Sequence, residues 1–120
     1  MNSNRIRLVL ELDIQDGKFS EFQTIAQEMV AVTETEAGAL TYVFLLSADQ
    51  RHCRLIETYK DVRAITEHLK GPAVRQFVPR LLEIATLAFV EFHGDPGQEI
   101  DAQGAPLKPA VFTTWQGFDR

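Results

Sequence analysis

The chain has 120 residues, enough for one domain that buries roughly two-thirds of its unfolded surface and too few for two. Apolar residues at 45% and charged residues at 24% exclude a disordered or fibrous chain. Seventeen acidic against twelve basic side chains leave a formal charge of −5, the wrong sign for gripping nucleic-acid phosphates or anionic lipid, so neither nucleic acid nor membrane is expected as a partner.

From residue 5 to 14, Ile6, Leu8, Leu10, Leu12 and Ile14 alternate with Arg5, Arg7, Glu11 and Asp13, which predicts a strand with one buried face. After Asp16-Gly17, apolar residues recur at three- and four-residue steps from Phe19 through Phe22, Ile25 and Met29 to Thr33. This predicts a helix over 18–36, with Gly38 as its C-terminal cap. Residues 40–47 are rich in β-formers and apolar on both faces, the pattern of a central or interface strand. A polar turn at 48–51 leads into a strand over 52–59 with Cys53, Leu55, Glu57 and Tyr59 on one face.

Asp61 is placed to cap a helical stretch over 61–85, broken at Gly71-Pro72 and kinked or restarted at Pro79. A fourth strand is expected over 87–93, closed by Gly94-Asp95-Pro96-Gly97. The order βαββαβ predicts an α+β, ferredoxin-like domain over 1–95, a four-stranded antiparallel sheet with helices on one face. Residues 96–110 read as a linker. Within the extension over 96–120, Val111 to Trp115 and Phe118 are too apolar for a solvated tail and are expected to pack on the domain or on a partner copy.

Cys53 is the only cysteine, which excludes an intrachain disulfide and a zinc site built on paired thiols. A lone thiol suits a reducing compartment, and the apolar run before Glu11 is too short for a signal-peptide core, so a cytoplasmic protein is expected. His52 and Cys53 are strand neighbours that point to opposite faces, and His93 has only Asp95 nearby, so no metal site is expected. No nucleophile elbow, P-loop or dinucleotide fingerprint is present.

Three segments occur in order: Glu36-Ala37-Gly38-Ala39-Leu40 followed by Tyr42; Glu57-Thr58-Tyr59-Lys60-Asp61; and Ala64 with His68-Leu69, with Phe77 behind. Their spacing resembles the antibiotic biosynthesis monooxygenase family over residues 5–95. The resemblance implies a homodimer whose two sheets pack face to face into an α/β barrel with the helices outside. It also implies varied chemistry, from cofactor-free oxidation of phenols or quinols to haem breakdown and handling of a small signalling molecule. The haem-degrading branch carries an axial histidine ten residues beyond the slot held here by His68, and that position here is Val78.

His68 sits about 60° round the helical wheel from Ile65, at the edge of the apolar stripe, within reach of a pocket between helix and sheet. It reads as a general base for a substrate hydroxyl or as a buried histidine bonded to a carbonyl. Glu57 is a carboxylate on an otherwise apolar face, either catalytic or in an ion pair with Arg7 or Arg54. Tyr59 joins His68 and Glu57 as a catalytic candidate, and Tyr42, Leu55 and Phe77 are expected to bind substrate. The reading is a cofactor-independent monooxygenase that uses O2 on a small phenolic or quinol substrate, with no flavin or metal. Its alternative is a non-catalytic or stress-linked dimeric module that binds a small molecule or another protein, with His68 structural.

Overall fold

The computed structural model describes residues 4–97 and 109–120. Nine elements follow in chain order: β1 (Ile6–Ile14), α1 (Phe19–Glu34), β2 (Ala39–Leu46), β3 (His52–Tyr59), α2 (Val62–Lys70), a π-helical turn (Ala73–Phe77), α3 (Val78–Ile84), β4 (Ala85–His93) and β5 (Ala110–Phe112). The strands form one sheet in the order β2-β3-β1-β4-β5, and its first four strands pair antiparallel as the βαββαβ order requires.

The sheet has five strands rather than the expected four, and is mixed. Part of the apolar tail runs parallel along the free edge of β4, with Phe92 opposite Val111 and the Gly94 amide donating to the Phe112 carbonyl at 2.7 Å. An unpaired strand edge is a row of unsatisfied backbone groups, and three tail residues cover its end. Their side chains stay outside: Phe112 remains exposed, and Trp115 is 87% exposed. The linker expected over 96–110 lies, between 98 and 108, outside the described residues.

Strand β2 is an edge strand, not a central one. Tyr42 and Phe44 turn toward the helices, while Val43 and Leu45 are exposed on the opposite face. Gly38 does not cap α1, which ends at Glu34 with Thr35 as its cap. The glycine instead permits close approach, since a Cβ there would lie 2.5 Å from the Ala64 Cβ of α2.

Asp61 caps α2 as expected, its carboxylate accepting from the Ala64 amide at 2.9 Å. The long helical stretch is in three pieces, broken at Gly71-Pro72. Pro79 restarts rather than kinks it, standing in the first turn of α3, where a missing amide hydrogen forfeits no helical bond. Strand β4 begins at Ala85, two residues earlier than expected, and carries a bulge: Glu11 opposes Phe89 while Leu12 opposes Leu87, leaving Ala88 extra.

The helix-facing row of β1 builds two clusters. Leu12 and Ile14 join Phe22, Ile25, Met29, Phe77 and Leu81 at one end, and Ile6 and Leu8 join Tyr59, Ile65 and Phe92 at the other. Burying each such side chain contributes about 1.5–3 kcal/mol. Leu10 touches both clusters and is only half-buried, so the core parts over the middle of the sheet. Among the described residues no helix is long and apolar enough to cross a membrane.

Candidate functional site

The gap beside Leu10 is a cavity of about 250 Å³ between the sheet and the helices. Leu8, Leu10 and Leu12 floor it, and Met29, Val74, Val78 and Leu81 roof it. Its polar rim is Tyr42 from β2, Glu57 from β3 and His68 from α2, and Pro109 borders it just before β5. No arginine or lysine is among the described lining residues.

His68 is only 2% exposed, so it lies inside the core rather than at the edge of the stripe. Its Nδ1 stands 2.9 and 3.1 Å from the two carboxylate oxygens of Glu36, and its Nε2 stands 3.5 Å from Oε1 of Glu57. The Tyr59 hydroxyl donates to that same Oε1 at 2.5 Å. The rings of Tyr59 and Tyr42 lie 5.2 and 5.6 Å from the imidazole, centre to centre. The Thr33 hydroxyl is fully buried and completes no hydrogen bond.

Burial pushes the Glu57 carboxyl up to about 7, against the Tyr59 hydrogen bond and with help from the Glu36 charge. Burial, and then the Glu57 charge, hold both tyrosines far above the ordinary phenol value, so they are donors rather than bases. Burial pulls His68 below the ordinary imidazole value, opposed by the charge and hydrogen bond of Glu36. A neutral imidazole at pH 7 is a base with a free lone pair.

The sequence profile described as antibiotic biosynthesis monooxygenase matches residues 5–80, well over half of the chain and all three segments around the cavity's polar rim. The chain belongs to the antibiotic biosynthesis monooxygenase family. Solved structures agree on the fold. The crystal structure of MupZ from Pseudomonas fluorescens is similar at a TM-score of 0.81 and 24% identity, over 98% of this chain and 95% of that one. SnoaB from Streptomyces nogalater, a cofactor-independent oxygenase, is similar at 0.68 and 16% identity, over 79% of this chain and 96% of its own. A conserved protein from Methanosarcina mazei is similar at 0.70 and 17%, over 78% and 95%. No curated protein matches the chain in a sequence search. The MupZ likeness takes in nearly the whole chain, and the other two about four-fifths of it.

In this member of the family, His68, Glu57, Tyr42 and Leu55 meet at the cavity. Tyr59 stands behind Glu57, bonded to it, and Phe77 lies in the core beneath the Arg80 guanidinium rather than on the cavity wall. Neither Arg7 nor Arg54 pairs with Glu57. Arg7 donates to Thr58, and Arg54 pairs with Glu11 at 2.8 Å, both on the sheet face away from the helices. Glu36 is the polar residue that sequence reasoning left out of the site. Its one signal was its place at the head of the first family segment.

A second cluster, Glu11, Asp13 and His52, lies on the opposite sheet face with ligand atoms within 4.8 Å of one another. Arg54 already neutralises Glu11, and His52 Nδ1 is bonded to Asp13 at 2.7 Å, so three groups, of which His52 is exposed and the carboxylates half-buried, fall one short of a closed tetrahedral site. Burial pushes the Cys53 thiol up to about 11, which suits a small core residue rather than a nucleophile.

Proposed function

We propose that this family member is a cofactor-independent monooxygenase acting on a small, neutral phenol or quinol, with His68 as the base. The observation that carries the reading is an apolar cavity whose few polar groups include an imidazole held at Nδ1 by Glu36, with its Nε2 3.5 Å from Glu57. His68 takes the substrate's hydroxyl proton, and the anion left in apolar surroundings is electron-rich enough to reduce O2 directly. One oxygen atom then enters the ring and the other leaves as water, as in phenol plus O2 giving quinone plus water. The substrate supplies all four electrons. Tyr42 and the protonated form of Glu57 are donors that orient the substrate's oxygens, Tyr59 acts through Glu57, and Leu55 is part of the apolar wall.

The described lining sets the ligand's charge. With no arginine or lysine among the described lining residues, a carboxylate or phosphate buried against them would meet Glu57 without a guanidinium or ammonium partner, at a cost of several kcal/mol. A volume of about 250 Å³ is also small against the ~300–1,000 Å³ of drug-sized sites, which favours one or two rings. The test is an oxygen electrode with chelator-treated protein, no flavin, and a panel of neutral one- and two-ring phenols and quinols. Expected are uptake with at least one of them at one O2 per quinone, and none with its carboxylated analogue. Tight binding across the panel with no uptake overturns the reading in favour of a binding module.

The protein is also proposed to be a homodimer through the sheet face away from the helices. Val43, Ile56 and Val9 form an apolar row there, and Leu45 and Phe89 flank the Arg54–Glu11 pair. One layer of helices covers only one face of a sheet. The tail's Phe112 and Trp115 then have a partner's surface to rest on. Light scattering is expected to give twice the chain mass at micromolar concentration, and a monomer contradicts the proposal.

A further inference from the structure

We propose that Glu36 is the positioning residue of this site: it fixes His68 in the tautomer that turns the Nε2 lone pair toward the cavity. The inference rests on reading His68 as the base, and it adds a residue from a different part of the chain.

The geometry that supports it begins in the backbone. Glu36 stands in the short connection between α1 and β2, its amide donating to the Thr33 carbonyl at 2.9 Å and its carbonyl accepting from Ala39 at 3.1 Å. The connection is therefore anchored at both of its main-chain groups. Gly38, two residues on, lets this connection pack directly against Ala64, and His68 follows Ala64 by four residues on the same face of α2. The close approach brings the carboxylate onto the imidazole.

A carboxylate only accepts hydrogen bonds, so Nδ1, held by both of its oxygens, must carry the ring proton. Nε2 is then left with a lone pair. Glu57 does not compete for this role, because its Oε1 is 3.5 Å away and already takes the Tyr59 hydroxyl. The tautomer is thus set from outside the cavity. Glu36 is 25% exposed and lines an open surface groove of about 510 Å³ with Lys60 and Asp61, where water solvates its charge. The titratable groups that face the ring are Glu36 from this connection, Tyr42 from β2, and Glu57 and Tyr59 from β3. Of these, the hydrated Glu36 contacts the ring most closely and opposes the effect of burial on it.

The test is nitrogen-15 NMR of the histidine ring on the full-length, ligand-free chain and on Glu36→Gln and Glu36→Ala. The wild type is expected to show the proton on Nδ1 and an unprotonated Nε2. Glu36→Gln keeps an acceptor but loses the charge, so the tautomer should persist while the His68 titration falls by about one pH unit or more. Glu36→Ala should shift the proton to Nε2, where Glu57 accepts it. A wild-type proton on Nε2, or a tautomer and titration unchanged in both variants, overturns the proposal. If Glu36→Ala does not fold, the titration of Glu36→Gln still decides. Because no substrate is present, this result is independent of oxygen uptake. An active enzyme whose His68 ignores Glu36 removes the inference alone, and a Glu36-dependent tautomer in a chain that oxidises nothing removes the monooxygenase reading alone.

Discussion

His68→Ala is expected to lower turnover on an oxidised phenol by about 10²- to 10⁴-fold while leaving KM nearly unchanged, because a general base acts in the transition state and not in binding. The rate of the wild type should rise with pH through an ionisation that the variant lacks. The alanine has a structural cost as well. His68 is fully buried, and removing it leaves the Glu36 carboxylate without its donor and a hole beside Glu57, at about 1–3 kcal/mol. His68→Gln is therefore the companion variant, since it fills most of the space and keeps an amide donor but has no basic lone pair. Steady-state kinetics on both variants, each confirmed folded, decide the matter. If either keeps more than about half of the wild-type rate, far above what loss of a base allows, His68 is not the base.

Glu57→Gln is expected to change how stability depends on pH. The carboxyl's ordinary value is 4.5, and burial raises it to about 7 in the folded chain. A raised carboxyl contributes stability that is fully present below pH 4.5 and is lost as pH rises through about 7, because in that window the folded state holds a proton that the unfolded state has released. The shift corresponds to about 3 kcal/mol. His68 works in the opposite sense, since burial lowers it and acid protonates the unfolded chain first, so the wild-type profile alone blends the two. The difference between wild type and Glu57→Gln separates them. The glutamine still accepts from Tyr59, so the two proteins should have similar stability near pH 4.5. At pH 8 the variant should be the more stable by as much as about 3 kcal/mol. Urea unfolding midpoints at the two pH values measure this, and a difference that stays constant between them shows that Glu57 titrates normally.

The site was legible in the sequence to different depths. Glu57 is readable because it interrupts an apolar face, His68 because it stands at the edge of an apolar stripe, and Tyr42 because its phenol lies in a family segment. Charge alone makes Arg7 and Arg54 the candidate partners of Glu57. Register decides against both: Leu8 opposes Glu57, so Arg7 opposes Thr58 and projects from the other side of the sheet. The partner is Tyr59, two residues along the same strand and hence on the same face. Glu36 heads a family segment, but nothing within a few residues of it says which helix it will meet.

The sequence by itself determined the strands and helices and the faces they bury. A period of two or of 3.6 residues is a local property, as is a cap such as Asp61 three residues before the amide it satisfies. From these the βαββαβ order and the sheet of α+β type follow. Only the tertiary structure decided that the core parts at Leu10 to leave a cavity, that Gly38 admits Ala64 rather than ending a helix, that Ala110–Phe112 adds a parallel fifth strand, and that Glu36 and His68, 32 positions apart, stand 2.9 Å from each other. Each of these depends on the distance between elements once they have packed, which strand register and side-chain volumes set together, and no spacing along the chain encodes it.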